Sequence, residues 1–341
     1  MAKKRITKKK IRIILTLVAV LLLLFSTLAG TFFVSATAAG GELFGIHVMD
    51  EETSRQIVDL LLEYKLVDKK TLTFFAGLFT RPHVAPPVSG EEVQFHFIDV
   101  GQGDAALIRT AAGNILIDAG TGDSEEALKA YLDSMGVKDI EYAIFTHPHE
   151  DHIGGADMIL AEYNVRNVVL PDVTSNTVVY NRMMDGIEAE GCGVVQATPD
   201  HTFTVGEVLF TVLAPIDDSY TDLNNYSVVL RADYGETSVL FTGDAETVSE
   251  AEMLDRYLLS GKLDCDILKA GHHGSDSSSS KKFLEAVTPD CTVISVGEGN
   301  TYDHPKQEIL ARFESMEILI YRTDLEGSIV FTTTGGEPVK Q

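Results

Sequence analysis

The stretch Thr146-His147-Pro148-His149-Glu150-Asp151-His152 places three imidazoles and two carboxylates in a single short loop. An apolar, strand-like run precedes this loop, and the pair Gly154-Gly155 follows it. Neutral imidazole nitrogens and carboxylate oxygens are the ligands that zinc, manganese and iron accept, and a bound metal lowers the pKa of its water to near 7. The loop therefore predicts a metal-dependent hydrolase.

The spacing within the loop predicts two metal positions. In extended backbone alternate side chains share a face, so His147 and His149 can hold one ion. The chain then turns, and Asp151 and His152 can hold a second ion. We expect Gly154-Gly155 to let the backbone approach the ions closely before the next helix begins.

The first 40 residues differ in kind from the rest. Basic residues crowd the region before residue 13, and an uncharged stretch runs from 13 to 41. A positive flank keeps an N-terminus cytoplasmic, so we expect the remainder on the extracellular face, either membrane-anchored or secreted. The apolar run is long enough to span a bilayer, and uncleaved it would bind the membrane. However, Ala36-Thr37-Ala38 matches a signal-peptidase site, so an anchor and a cleaved signal peptide both stay open.

The remainder of the chain is strongly anionic. Subtracting the seven N-terminal basic residues from the 27 in the chain leaves 20 against 51 acidic residues, a formal charge of −31. Extended nucleic-acid grooves carry clustered Lys and Arg, so this balance argues against one. It does not exclude a phosphoester substrate, because two metal ions would be the largest local charges in the site.

Residues 41–91 are predicted to form a short helical stalk and a Pro-rich linker, and residues 92–335 one α/β domain in which helices cover sheets. The patterns predict helices at 124–135, 155–163, 177–190, 246–260, 280–287 and 305–315. They predict strands at 93–99, 104–109, 114–118, 141–146, 167–170, 193–197, 208–214, 226–233, 237–242, 265–269, 291–296, 317–321 and 328–332.

Further ligands for a two-metal site are expected at strand ends. Asp244 follows an apolar run and could bridge two ions spaced roughly 3.5 to 4 Å apart. His272 follows the next apolar run and could complete the second ion, whereas the adjacent His273 should point elsewhere. Asp118 closes the run 115–117 and is placed to orient a ligand histidine.

In order along the chain, Ile117-Asp118-Ala119-Gly120, the HxHxDH loop at 147–152, Thr242-Gly243-Asp244 and His272-His273 resemble the motifs of the metallo-β-lactamase superfamily of hydrolases. The resemblance covers about 92–335 and implies an αββα sandwich with a binuclear site on one edge. It implies that the ligand roles are taken by His147, His149, Asp151, His152, Asp244 and His272.

Within that superfamily, the segments 97–104 and 271–275 are similar to the branch that contains the hydrolase domain of the DNA-uptake competence protein ComEC. Phosphorylcholine esterases of the cell surface are similar too. The ComEC resemblance implies phosphodiester hydrolysis, with DNA degradation outside the membrane as one form of it.

The third ligand of the first ion departs from the superfamily pattern, in which it is usually a histidine. His201 lies in a turn-like setting, and the segment 223–227 with Asn225 occupies the expected place, as in the ComEC-like branch. An asparagine is a weaker, oxygen-based partner, so we expect two divalent ions that are either zinc or manganese.

Three further residues are candidates for contacts with substrate or ligands. Asp99 could contact a ligand or water from a glycine-containing loop under the site. Ser275 could hydrogen-bond a phosphate oxygen, and His304 lies where a substrate-facing loop is expected.

We expect activated water to attack phosphorus in line at a site built on Asp151 and Asp244, with His273 or His304 protonating the leaving group. Two alternatives stay open. One is hydrolysis of another small ester, such as a phosphorylcholine ester, a lactone or a β-lactam. The other is a noncatalytic surface module that keeps the fold for binding.

Overall fold

A computed structural model describes residues 91–341 of the chain. The expected N-terminal segment at 1–40 and almost all of the expected stalk and linker at 41–91 lie outside the described residues. Within the described part, no helix combines the length and the apolar character that crossing a bilayer requires.

The described chain folds into two large sheets and one small one. The strands in chain order are β1 (Val93–Phe97), β2 (Ala106–Thr110), β3 (Gly113–Ile117), β4 (Asp139–Ile140), β5 (Tyr142–Ile144), β6 (Asn164–Val165), β7 (Asn167–Leu170), β8 (Gly193–Gln196), β9 (Thr202–Val205), β10 (Val208–Ala214), β11 (Val229–Tyr234), β12 (Thr237–Phe241), β13 (Ile267–Lys269), β14 (Cys291–Ile294), β15 (Leu319–Arg322), β16 (Ile329–Thr333) and β17 (Val339–Lys340). The first sheet has the order β17-β16-β1-β2-β3-β5-β7-β8, the second has the order β15-β14-β13-β12-β11-β10-β9, and β4 pairs with β6.

The helices are α1 (Glu125–Ser134), α2 (Glu150–Ile153), α3 (Ala156–Glu162), α4 (Val178–Glu190), α5 (Thr247–Tyr257), α6 (Lys281–Val287), α7 (Gln307–Ser315) and α8 (Thr323–Glu326). α4 begins at Thr177, whose hydroxyl accepts the N–H of Tyr180, and ends at the left-handed Gly191. α6 begins in the same way, because the Ser280 hydroxyl accepts the N–H of Phe283.

Alternation along the strands sorts the core into layers. In β3, Ile115 and Ile117 join the apolar cluster between the two sheets, whereas Leu116 joins the cluster under the helices. Between the sheets, the ring of Phe97 from the first sheet stacks on that of Phe241 from the second, with 5.6 Å between centroids. Each such fully buried side chain contributes roughly 1.5–3 kcal/mol of hydrophobic stabilisation.

Helices cover the outer face of each sheet. α1, α3 and α4 pack on the first sheet, for example through Leu128, Ile159 and Ile187. α5, α6 and α7 pack on the second sheet through residues such as Met253 and Phe313. The layer order is therefore helices, sheet, sheet, helices, and the expected αββα sandwich is confirmed for the described residues.

Most elements lie where the sequence predicts them, and the exceptions are short. The strands β4, β6, β9 and β17 and the helices α2 and α8 were not predicted. α2 begins at Glu150, so the histidine-rich stretch is a loop that leads into a helical turn. β17 pairs with β16, so the first sheet continues beyond residue 335.

Candidate metal centre

The histidines and carboxylates of the expected site follow the carboxyl ends of parallel strands, at one edge of the sandwich. In the first sheet β3 runs parallel to β5, and in the second β12 runs parallel to β13. Asp118 follows β3 directly, Asp244 follows β12 after two residues, and the loop at 146–152 and the pair His272-His273 follow β5 and β13. Because the carboxyl ends of neighbouring parallel strands meet at one edge, residues far apart in sequence converge there.

Four side chains gather with metal-ligand geometry: Asp151, His152, Asp244 and His273 each offer one donor atom, and these atoms lie within 4.8 Å of one another. His152 Nε2 lies 3.2 Å from Asp244 Oδ1, and His273 Nε2 lies 3.3 Å from Asp151 Oδ2. Three of the buried donors, His152 Nε2, Asp244 Oδ1 and His273 Nε2, have no hydrogen-bond partner. Buried polar atoms are normally satisfied, so donors left open around one point fit a divalent cation.

His147 and His149 form a second group of nitrogen donors beside the first. His147 Nε2 lies 3.0 Å from His149 Nδ1 and 4.0 Å from Asp244 Oδ2. Asp244 thus lies between the histidine pair and the other three residues of the group, where its carboxylate could serve both sets of donors. Two nitrogens and a shared carboxylate are ligands that zinc and manganese accept.

Asp118 fixes the orientation of His152 from beneath. It is fully buried, and its Oδ2 accepts hydrogen bonds from His152 Nδ1 at 2.8 Å and from the Thr146 hydroxyl at 2.7 Å. Its Oδ1 accepts the Thr146 N–H at 2.7 Å. A carboxylate can only accept, so when His152 is neutral its proton lies on Nδ1, and the lone pair of Nε2 faces the other donors.

Asp104 and Lys269 hold His273 in a comparable way. His273 Nδ1 lies 2.9 Å from Ser295 O and 3.3 Å from Asp104 Oδ1. The other oxygen of Asp104 forms a buried ion pair with Lys269, whose ammonium also donates to Gly243 O at 3.1 Å. This buried cation partly compensates the carboxylates of the centre.

Without metal, the electrostatics of the centre favour bound protons. Burial alone would lower the pKa of His273, but Asp244 and Asp104 raise it to about 10. Burial would likewise lower the pKa of His152, but the charges of Asp244 and Asp118 outweigh it and raise this pKa well above its ordinary value. Burial and the charge of His152 hold the pKa of His147 well below its ordinary value. A cation entering this centre therefore competes with protons on two of its nitrogens.

The structure exchanges the expected positions of the two adjacent histidines. His273, which the sequence placed away from the metals, lies in the four-residue donor group and is buried. His272, the expected ligand, lies outside that group with 24% of its side chain exposed, and its Nε2 is 3.7 Å from Asp244 Oδ2. Its Nδ1 lies 3.0 Å from Ser277 Oγ and 3.3 Å from Glu246 Oε1. The structure therefore places His273, and not His272, in the four-residue donor group.

The physical reason for the exchange is the backbone at this point. His272 and His273 both have positive φ, of 46° and 52°. Two consecutive left-handed residues turn the chain sharply, so the side chains do not alternate as an extended segment would require. Such a conformation costs roughly 1–3 kcal/mol per residue and is concentrated at functional sites.

The two asparagines of the segment 223–227 also differ from expectation. Asn225, expected near the first ion, uses Oδ1 to accept the N–H of Ser249 in α5 and Nδ2 to reach Glu246. Its amide is therefore engaged in holding α5. The neighbouring Asn224 is 5% exposed, and its Oδ1 is buried without a hydrogen-bond partner. Asn224 is thus the asparagine with an oxygen left open.

The remaining candidates lie around the centre. Asp99 is exposed and its Oδ1 accepts the N–H of Gly101, so it shapes a turn and is not among the donors. Ser275 is buried, with its Oγ 3.0 Å from Ser277 Oγ. His304 is half-buried, its Nδ1 has no hydrogen-bond partner, and its ring meets that of His272 edge to face at 5.6 Å.

Two glycines permit close backbone approaches that set the loop geometry. Gly103 has φ of 145°, and a Cβ there would lie 2.4 Å from Asp151 O. Gly154 packs against the backbone of Gly122, where a Cβ would lie 2.3 Å from N. The expected role of Gly154-Gly155, close approach to the ions, is therefore revised: these glycines pack α2 against the loop that follows β3.

Sequence reasoning missed the roles of Asp104, Lys269, Glu246 and Asn224. Asp104 has a usable signal, since it ends the loop 101–104 after a strand, as other acidic residues of the site do. Lys269 has another, because a lysine inside the apolar run 267–271 needs a buried partner.

The fold and the donor set together define a class of protein. Residues 98–298 match the model of the metallo-beta-lactamase superfamily, and the chain belongs to that superfamily, whose members are generally metal-dependent hydrolases.

Competence proteins are among its relatives. The chain is 29% identical over 263 residues to ComE operon protein 3 of Bacillus subtilis, covering 72% of this chain and 34% of the relative. It is 31% identical over 253 residues to competence protein ComA of Neisseria gonorrhoeae, covering 74% and 33%. The resemblance to the ComEC branch is thus confirmed, although the chain spans about a third of the length of these relatives. Among solved structures, the metallo-beta-lactamase fold protein YhfI from Bacillus subtilis matches at 12% identity, with 73% of this chain and 100% of that chain covered and a TM-score of 0.47.

Proposed function

We propose that this protein is a phosphodiesterase or nuclease that depends on two divalent metal ions, zinc or manganese. The observation that carries the proposal is the convergence of His152 Nε2, Asp244 Oδ1 and His273 Nε2, all buried and unpartnered, in a chain related to competence proteins. The names of these relatives concern competence. A role of this chain in processing DNA is part of the proposal.

The residues divide between two ion positions that share Asp244. His147 and His149, with the open oxygen of Asn224 nearby as a further candidate, would hold the first ion. Asp151, His152 and His273 would hold the second. When bound, such a pair supplies Lewis acidity for the phosphoryl oxygens and activates water at neutral pH. The chain itself fixes the donors: Asp118 sets the tautomer of His152, and Ser295 O with Asp104 sets that of His273.

His272 is the residue to which we assign contact with the substrate. Because Glu246 and Ser277 flank its Nδ1, its ring is oriented with Nε2 toward Asp244. From there Nε2 can hydrogen-bond a phosphoryl oxygen or protonate the leaving group. The sequence assigned that role to His273 or His304. His273 lies among the metal donors, and the ring of His304 contacts His272, which is itself 3.7 Å from Asp244.

A substrate panel tests the proposal. A bis-aryl phosphate, a phosphorylcholine ester, single-stranded and double-stranded DNA and a lactone are incubated with the full chain, first with zinc and then with manganese. We expect hydrolysis of phosphodiesters, loss of activity on chelation, and loss of most of it in Asp244→Asn. Asp185→Asn, which changes an exposed carboxylate on α4, is the matched control. Activity on the lactone alone would overturn the assignment, as would full turnover by Asp244→Asn with two metals bound.

The charge of the chain supports a second candidate, hydrolysis of small esters. Outside the N-terminal basic segment the formal charge is −31, which repels long polyanions. A phosphorylcholine ester presents one phosphate and a cation, so it avoids this repulsion. Preference for that ester over every nucleic acid in the panel would favour this candidate.

We also propose that the protein works at the extracellular face, anchored or secreted through residues 1–40. The support is the basic cluster before a long uncharged stretch. Protease accessibility of the domain on intact cells, with and without membrane fractionation, distinguishes an anchored from a released protein.

A further inference from the structure

The loop between β14 and α7 displays an exposed aromatic ring beside the candidate centre. Tyr302 is 60% exposed, and its ring stacks on that of His304 with 5.8 Å between centroids and 27° between planes. His304 in turn meets His272 at 5.6 Å, and His272 Nε2 lies 3.7 Å from Asp244 Oδ2. A row of three rings therefore leads from the metal donors to solvent.

Asn300 holds this loop in one conformation. Its Oδ1 accepts the N–H groups of Tyr302 and His304, each at 3.1 Å. Its Nδ2 donates to Gly297 O at 3.0 Å and to His304 O at 2.7 Å. The exposed ring of Tyr302 is thus attached to backbone that is already ordered, so a ligand that stacks on it orders little else on binding.

The charges near this loop do not favour the binding of a polyanion. Lys306 Nζ donates to Tyr302 O at 2.9 Å and lies 3.6 Å from Asp303 Oδ2, so this lysine already has partners of its own. The strongly acidic chain also lacks the excess of basic residues that phosphate-based affinity needs. An aromatic face offers binding that does not depend on charge, because every nucleobase has a π face that can stack.

We propose that Tyr302, backed by His304, is a stacking surface for an unpaired nucleobase next to the phosphodiester at the metal centre. The inference rests on the proposed phosphodiesterase function and narrows its substrate to single-stranded or frayed nucleic acid. A base inside a duplex is stacked on both faces, and extracting it costs a few kcal/mol. Duplex interiors are therefore poor substrates.

Cleavage of matched strands tests the role of the ring. A single-stranded oligothymidylate is compared with a strand of equal length whose residues around the scissile phosphate are abasic. We expect Tyr302→Ala to lower the kcat/KM for the oligothymidylate, relative to that for the abasic strand, about 5- to 100-fold. Tyr302→Phe, which keeps the ring, should retain the wild-type ratio. So should Leu319→Ala, which removes an equally exposed side chain, 60% exposed, from β15.

Binding without turnover separates this inference from the proposed function. Fluorescence anisotropy of the two labelled strands is measured with the full chain in EDTA. We expect wild type to bind the oligothymidylate more tightly than the abasic strand, and Tyr302→Ala to remove the difference. If wild type binds and cleaves both strands equally, or Tyr302→Ala weakens both equally, the stacking surface is overturned while phosphodiester hydrolysis stands. If binding depends on Tyr302 and no phosphodiester is hydrolysed with either metal, the ring binds nucleobases and the proposed activity is overturned.

Discussion

Lys269 Nζ lies 4.0 Å from Asp244 Oδ1, so an ammonium is buried beside the carboxylate that separates the two groups of metal donors. The lysine is 3% exposed and forms its ion pair with Asp104. A cation in this position limits the repulsion among the surrounding carboxylates when no metal is bound.

Lys269→Met should therefore destabilise the metal-free protein by up to about 3–5 kcal/mol, because the buried Asp104 carboxylate loses its ammonium partner and keeps only the imidazoles of His273 and His152 nearby. Denaturant unfolding in EDTA measures the change. The double variant Lys269→Met/Asp104→Asn should recover part of the loss. Lys129→Met, which breaks exposed pairs with Asp133 and Glu162, should leave the unfolding midpoint nearly unchanged. Equal effects of Lys269→Met and Lys129→Met would show that the buried pair contributes nothing.

The two adjacent histidines should separate metal binding from turnover. His273→Ala removes a donor, so we expect about one metal ion fewer per chain by elemental analysis. His272→Ala should keep the metal content and lower kcat by about 10²- to 10⁴-fold, the usual range for loss of a proton donor. The reverse outcome, metal loss in His272→Ala with full content in His273→Ala, would restore the ligand assignment made on the sequence.

Metal binding should release protons at neutral pH. The pKa of His273 is raised to about 10 in the metal-free protein, so its imidazole is protonated at pH 7 and must lose a proton to bind. Affinity should therefore rise with pH by about tenfold per unit for each proton displaced, and the rise should continue until the pH approaches 10. Calorimetric titration in two buffers of different ionisation enthalpy counts the protons.

His96→Gln is the control for this titration. Burial and the charge of Arg109 lower the pKa of His96 to about 4, so it is already neutral at pH 7. On metal binding, the His96→Gln variant should therefore release the same number of protons as the wild-type protein. An affinity independent of pH between 6 and 8 would show that the donors are not protonated before metal binding.

Gly103→Ala should disturb the centre through the backbone. A Cβ at Gly103 would meet Asp151 O at 2.4 Å, so the segment that carries Asp151 must move. We expect weaker metal binding and a lower melting temperature. Gly101→Ala is the matched control, since its φ is also positive, at 71°, but a Cβ there meets nothing within 4 Å. It should cost about 1–2 kcal/mol of backbone strain and leave metal affinity intact.

The sequence predicted most strands and helices well because they carry strong periodic patterns, whereas the αββα layering was implied by the resemblance to the superfamily. Ile115, Leu116 and Ile117 alternate between two apolar layers, and α4 has a clear start and stop at Thr177 and Gly191. β9 was missed because its four residues follow a Pro-Asp-His turn, and such a short exposed-buried alternation also fits a loop.

The residues of the candidate metal centre were predictable only where the end of a strand determines their position. Asp118 and Asp244 lie at the edge that their apolar runs indicate. The order of His272 and His273 was not predictable, because it depends on two positive φ angles that no glycine marks. The roles of Asn224 and Asn225 depend on which amide reaches α5, and the role of Lys269 depends on a partner from a distant loop. These are tertiary contacts, and local pattern carries no information on them.

The donors come from both sheets, since His152 follows a strand of the first and Asp244 and His273 follow strands of the second. An ion bound there would act as a cross-link between the two sheets, in addition to their apolar packing and the buried Asp104–Lys269 ion pair. Cutting the chain between β10 and β11 separates Asp151 and His152 from Asp244 and His273, so the two fragments should recover metal affinity only when they reassociate. Metal content would then report on the integrity of the whole sandwich.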